Sequence, residues 1–216
     1  MSESKGCKFN CINCGQCCRE MENLALFEWE KKRLLEFDPS TEIVPGNKIK
    51  YGKTDIILYW GLKGKGGQCP FLRFEKEKSK CSIYNDRPLV CRSFPLSHSG
   101  QVSIEGMIAT NCPASVVPFK ENERMSRAGF YKTLLSAYGE TFESVFRLDL
   151  ARVWVADIAD LVVSELESND VRLEDKEIGL FELAAREGII DQEAIDLEIE
   201  NLESLDVTEL FNSAPE

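Results

Sequence analysis

A chain of 216 residues with 43% hydrophobic residues suits one domain with an appendage, or two small domains, and is too apolar for global disorder. Its formal net charge of −11 argues against indiscriminate nucleic-acid binding. No run of about 18 apolar residues exists, so no membrane span is expected; the best stretch, Val153 to Val163, is interrupted by Asp157 and Asp160.

The first ten residues contain no apolar segment of the secretory kind, which places the chain in the cytoplasm as an expectation. In that reducing compartment cysteines are more often metal ligands or catalysts than disulfide partners, and nine cysteines cannot all pair. Charge is uneven. Residues 1–166 hold 23 Lys and Arg against 21 Asp and Glu, whereas residues 167–216 hold 3 against 16. The acidity therefore belongs to the last fifty residues.

In chain order, residues 7–18 form a cysteine-dense loop: Cys7, Cys11, Cys14, Cys17 and Cys18 fall within twelve residues. Gly15 follows Cys14 and permits the positive φ of a tight turn, whose backbone N–H groups would face the sulfurs. Glu28 to Phe37 reads as a helix stopped by Asp38-Pro39. Asp55 to Trp60 reads as one β-prone run, followed by a Gly/Lys loop over Gly61 to Gly67. Short strands are expected at Cys69 to Phe74, Cys81 to Tyr84 and Gln101 to Glu105. Pro70, Pro88, Pro95 and Pro113 stiffen the chain close to cysteines.

From Glu121 the pattern is helical. Phe130, Leu134, Leu135 and Tyr138 make one stripe with a stop at Gly139, and a long helix runs from Thr141 to about Glu167. Lys176 to Glu187 and Gln192 to Glu203 read as two more helices separated by Gly188. The expected fold is α+β: an irregular cysteine-rich metal-binding N-terminal half with short strands, then a helical C-terminal half. The expected organisation is a cysteine-cluster domain over residues 1–115, a helical extension packed on it over 116–167, and an acidic helical tail over 168–216.

Cys11, Cys14, Cys17, Cys18, Cys69, Cys81, Cys91 and Cys112 are the candidate metal ligands, with Cys7 a spare. Adjacent thiolates strain to reach one ion, so Cys17 and Cys18 more easily serve two centres, and eight ligands would make two four-thiolate sites. Thiolates alone suit tetrahedral zinc or an iron–sulfur cluster such as 4Fe-4S. One histidine, His98, nearly excludes a histidine-rich catalytic zinc site, and its loop setting beside Ser97 and Ser99 is that of an exposed residue. Cys11-x2-Cys14-x2-Cys17 matches the start of a ferredoxin run, but the required later Cys-Pro is replaced by an immediate Cys18. Arg87 and Arg92 could offset thiolate charge or clamp an anionic ligand, and so are candidate cofactor-binding residues. Asp157 and Asp160 read as a solvated face. The lysines 63, 65, 76, 78 and 80 read as a soluble strand edge rather than a nucleic-acid patch.

Cys11-x2-Cys14-Gly15-x-Cys17-Cys18, then Cys69-Pro70-Phe71-Leu72, then Cys81-x-Ile83-Tyr84-x2-Arg87-Pro88-x2-Cys91-Arg92-x-Phe94-Pro95, resembles the YkgJ-type cysteine-cluster family, described as a zinc- or iron-chelating domain. The resemblance spans about residues 7–115. It implies metal or cluster binding by Cys11, Cys14, Cys17, Cys18, Cys69, Cys81 and Cys91, with Cys112 and Cys7 matching less firmly. The family also resembles flagellin lysine N-methylases, which implies cluster-dependent protein modification as one activity. The expected function is thus thiolate binding of an iron–sulfur cluster or zinc, in redox or protein-modification chemistry, with an unidentified protein partner or protein substrate. The alternatives are a non-enzymatic zinc module for protein interaction and a cluster-dependent lysine methylase.

Overall fold

A computed structural model describes residues 8–19, 21–75, 78–96, 108, 112–119 and 126–208. The fold is α+β, with strands mostly in the first half and helices in the second. Chain contacts define two compact units, each assembled from separated stretches. The first is Met1–Glu20, Phe71–Asp149 and Leu205–Glu216; the second is Met21–Pro70 and Leu150–Ser204.

The first unit holds the cysteine loop, the hairpin of β6 (Leu72–Glu75) and β7 (Lys78–Cys81), the short helix α2 (Leu89–Ser93), α3 (Arg127–Tyr138) and the first part of α4 (Glu140–Ser168). Its core is Leu96, Ile108, Phe130, Leu134, Ala137, Tyr138, Phe142 and Val145, with Phe9, Val116 and Phe119 packed against it. The helical stripe expected at Phe130, Leu134 and Tyr138 is the face of α3 that joins this core. Ser126 caps α3 by accepting the Gly129 N–H at 3.1 Å, and Gly139 ends it at φ +52°.

The second unit contains two small sheets. In one, β5 (Trp60–Lys63) lies between β1 (Asn23–Leu26) and β2 (Ile43–Pro45), antiparallel to both. In the other, β4 (Thr54–Ile57) lies between β3 (Lys48–Tyr51), antiparallel, and β8 (Glu177–Gly179), parallel. The helices α1 (Glu28–Phe37), the remainder of α4, α5 (Leu180–Arg186) and α6 (Gln192–Ser204) complete it. Trp29, Trp154 and Phe181 meet with ring centroids 4.8–5.7 Å apart, a spacing at which aromatic pairs add to area burial.

Glu28 is buried beside that aromatic group and accepts the backbone N–H groups of Phe181 at 3.1 Å and Glu182 at 2.9 Å. These are orphan donors at the start of α5, so a carboxylate 153 residues away in sequence serves as its cap. A Cβ on Gly179 would collide with that carboxylate, which explains a glycine there.

Several expectations are corrected. The run Asp55 to Trp60 is two strands, because Leu58 and Tyr59 donate to the Asn47 carbonyl in a turn between them. Gly61 to Lys63 is strand, not loop, and the Asn23 side chain occupies the space a Cβ on Gly61 would need. The strand near Cys81 ends at Cys81, and Tyr84–Asp86 is a 3-10 turn. Lys176 to Glu187 is a short strand before a helix, since Ile178 pairs with Ile56. Gln101 to Glu105 lies outside the described residues. Asp157 and Asp160 are exposed, as a solvated face should be.

Candidate metal centre

The cysteine loop is anchored at both ends of its approach. Phe9, two residues before Cys11, stacks on Tyr138 at 5.3 Å and donates its N–H to the Ala137 carbonyl at 2.8 Å. After Cys14 the chain turns at Gly15, whose φ is +72°, and enters a 3-10 turn over Gln16–Cys18. The Cys18 and Arg19 N–H groups both donate to the Gly15 carbonyl, at 3.0 and 3.1 Å. The Gln16 N–H faces the Cys14 sulfur at 3.5 Å, the N–H-to-sulfur contact expected of such a turn. Gly15 also packs on the hairpin: a Cβ there would stand 2.7 Å from the Ser79 Cβ. Arg19 reaches over the same hairpin, with its guanidinium 5.7 Å from the Phe74 ring centroid and donating to the Ser79 hydroxyl at 3.4 Å.

Two further segments of the first unit bring cysteines to this loop. Pro88 starts α2, and the Cys91 N–H donates to the Pro88 carbonyl at 2.9 Å. Cys112 opens a turn closed by the Ser115 N–H on its carbonyl at 3.0 Å. Tyr138 then holds the following residue, Val116, by its backbone N–H and C=O.

The result is a narrow cavity of about 50 Å³ lined by Cys11, Cys14, Cys17, Cys91 and Cys112, with Arg87 among them and Phe9, Ile12, Tyr84 and Phe94 as apolar wall. Five of the eight cysteines singled out from sequence therefore share one cavity. Cys18 and Cys81 belong to the same unit but do not line it, and Cys69 belongs to the second unit. Cys7 and His98 lie outside the described residues. Arg87 lines the cavity and Arg92 does not. Arg87 stacks on Tyr84 at 3.8 Å and donates Nε–H to the Tyr84 carbonyl at 2.9 Å, which locks its guanidinium beside the thiols. Tyr84 stands in the sequence motif between Cys81 and Arg87, but its role as the support for Arg87 needs the folded turn to be seen.

The pKa of the Cys17 thiol is lowered to about 7, first by its hydrogen bond with the Cys18 thiol 3.8 Å away, against burial, and then by the Arg87 charge. A thiol near 7 ionises at neutral pH, and thiolate is the metal-binding form. Among the described residues no three His, Cys, Asp or Glu side chains stand close enough to hold one ion. Converging thiolates repel one another, and a bound cation supplies the energy that draws them in. An all-sulfur donor set with a nearby guanidinium fits a thiolate-bound zinc or iron centre.

A curated relative, an uncharacterized protein of Methanocaldococcus jannaschii, is 36% identical over 93 residues, covering 43% of this chain and 47% of the relative. The chain thus spans about half the length of that relative. No solved structure matches. Residues 10–113 match the model of the CxxCxxCC family, "Putative zinc- or iron-chelating domain".

Proposed function

We propose that the first unit binds one thiolate-coordinated metal ion, zinc in the first place, drawing four ligands from Cys11, Cys14, Cys17, Cys91 and Cys112. The observation that carries this reading is the convergence of five cysteines on one small cavity from three separate segments. A space of about 50 Å³ has room for a single ion rather than for an organic cofactor. Arg87 lies where it offsets the surplus negative charge of a four-thiolate zinc site. The ion ties the N-terminal loop, α2 and the segment after Cys112 into one piece, so metal binding is part of the folding energy of an otherwise irregular region.

A second reading is an iron–sulfur centre engaged in redox or protein-modification chemistry. It is favoured by the fifth thiol in the cavity and by Cys18 beside Cys17, more sulfur than one tetrahedral ion uses. Exposed Ile12 and Tyr84 at the cavity would give a protein partner or protein substrate an apolar foothold. Anaerobic purification with metal and labile-sulfide analysis decides between the two. About one zinc per chain and a colourless solution support the first. Iron with matching sulfide and broad visible absorption replaces it with the second.

A further inference from the structure

The second unit carries a cavity at the turn of the β3–β4 hairpin, and no cysteine lines it. Tyr51 pairs with Thr54, so Gly52 and Lys53 form a two-residue turn, with Gly52 at φ +59° as such turns require. The segment after α4 passes this turn and is tied to the hairpin at both ends of its passage. The Tyr51 hydroxyl donates to the Val171 carbonyl at 3.1 Å. The Thr54 hydroxyl donates to the Asp175 carbonyl at 2.6 Å, and the Asp55 N–H to the Lys176 carbonyl at 2.9 Å. Between these ties lies a cavity of about 450 Å³, lined by Tyr51, Gly52, Lys53, Val171, Arg172 and Leu173. That is within the range of small-molecule sites, about 300–1,000 Å³. A Cβ on Gly52 would meet nothing within 4 Å, so the space over the turn is open.

Two cations line this cavity and no acid does. The neighbouring cations are spent on carboxylates: Lys48 pairs with Asp55, and Arg186 with Asp175 and Glu187. Lys53 and Arg172 form no ion pair or side-chain hydrogen bond with a described residue. Both are exposed, so what marks them is their position, not a burial cost. Arg172 is one of 3 bases against 16 acids in residues 167–216, with Asp170 and Glu174 two residues to either side, yet it pairs with no described acid. The rest of the lining is apolar or already bonded. Val171 and Leu173 are half-buried, and the Tyr51 hydroxyl is used by Val171. The unspent side-chain donors at the cavity are therefore both cationic, and no lining side chain is an amide or a carboxylate.

We propose that this cavity binds a phosphate monoester of a small aromatic or apolar alcohol. Such an ester carries a charge of about −1.5 to −2 at pH 7 and three acceptor oxygens on one head. The Arg172 guanidinium offers a forked pair to two of those oxygens, and the Lys53 ammonium a point charge to the third. A singly charged carboxylate would leave one cation unmatched. A bare phosphate ion would leave Tyr51, Val171 and Leu173 unused, whereas the organic part of an ester lies against that wall.

The test uses the full chain labelled with 15N-glycine, with phenyl phosphate as the probe, following the Gly52 N–H signal assigned through Gly52→Ala. A saturable shift of Gly52 is expected, with the Gly15 signal, assigned through Gly15→Ala, unmoved. Lys53 and Arg172 are exposed, so Lys53→Gln and Arg172→Gln should fold normally, as the remaining glycine signals will show. Each should weaken binding about tenfold or more by removing one charge-assisted contact. Phenyl sulfate, of the same shape with a single charge, and inorganic phosphate, without the ring, should both bind at least about tenfold more weakly. No saturable shift of Gly52 would overturn the proposal, and a shift at Gly15 in its place would put the ligand at the cysteine cavity. Binding unaffected by Arg172→Gln, or phenyl sulfate or inorganic phosphate binding as well as the ester, would overturn it too.

Discussion

The hydroxyl of Tyr138 donates to the Val116 carbonyl at 2.5 Å and accepts the N–H of the same residue at 3.1 Å. Its ring stacks on Phe9. One side chain at the end of α3 therefore holds the segment that follows Cys112 and the segment that precedes Cys11. Burial raises its pKa, which keeps the phenol protonated and able to donate at neutral pH.

Tyr138→Phe keeps the ring and removes both hydrogen bonds. It leaves the N–H and C=O of half-buried Val116 without that partner, at a cost of about 1–3 kcal/mol. Thermal unfolding should shift down accordingly. Because Cys112 is the ligand candidate nearest the released segment, metal should also be lost to a competing chelator faster than from the parent protein. Unchanged chelator kinetics alongside the lower stability would mean that Tyr138 supports the core alone.

Gly15 carries two separate constraints, and a pair of variants separates them. Gly52 has φ +59° and nothing within 4 Å of where its Cβ would stand, so Gly52→Ala should cost only the left-handed backbone strain, about 1–2 kcal/mol. Gly15→Ala adds a collision with the Ser79 Cβ and hydroxyl at 2.7 Å, a further cost of about 1–3 kcal/mol. Ser79→Gly combined with Gly15→Ala should recover most of the second term. Denaturant midpoints for the four chains would show it, and equal midpoints for the Gly15 and Gly52 variants would rule out the packing contact.

Stability of the second unit should depend on pH through Glu28. Burial raises its carboxyl pKa, against the two N–H bonds it accepts. A raised folded pKa means the folded state binds the proton more tightly than the unfolded chain, whose Glu titrates near about 4.3. The contribution is complete below that value and is lost as pH rises through the folded pKa. Glu28→Gln should remove this slope, so the parent-minus-variant stability difference should fall as pH rises above about 4. A flat difference across that range would show that the N–H bonds compensate burial fully.

How much of this is legible in the sequence follows from how local each cause is. The end of α1 follows from Asp38-Pro39, and the positive φ of Gly15 from the crowded turn around Cys14. The parallel pairing of β4 with β8 joins residues about 120 apart and leaves no local sign, so Glu177–Gly179 reads as helix from sequence. Arg87 and Arg92 look equivalent beside their cysteines. In α2, however, successive residues point about 100° apart, so Cys91 and Arg92 do not both meet the cavity. Cys17 and Cys18 differ in the same way although their sulfurs are 3.8 Å apart: only Cys17 is in the lining. Tyr138 is visible in the sequence only as one member of an apolar stripe, because its hydroxyl partner lies 22 residues away along the chain.

That separation of neighbours makes the sharpest test of the metal centre. Cys14→Ser, Cys17→Ser, Cys91→Ser and Cys112→Ser each remove a thiol from the cavity, whereas Cys18→Ser and Cys81→Ser do not. Metal content after gel filtration should drop in the first group and persist in the second. Since a lost ligand is lost folding energy, the first group should also unfold at lower temperature by circular dichroism. Cys18→Ala, which leaves no donor there, should additionally raise the pKa of the Cys17 thiol, whose low value rests first on the Cys18 contact, so metal uptake should slow at pH below about 8 without a change in final content. If Cys17→Ser and Cys18→Ser lose metal alike, the single-ion reading fails and both thiols are ligands, as two adjoining centres would require.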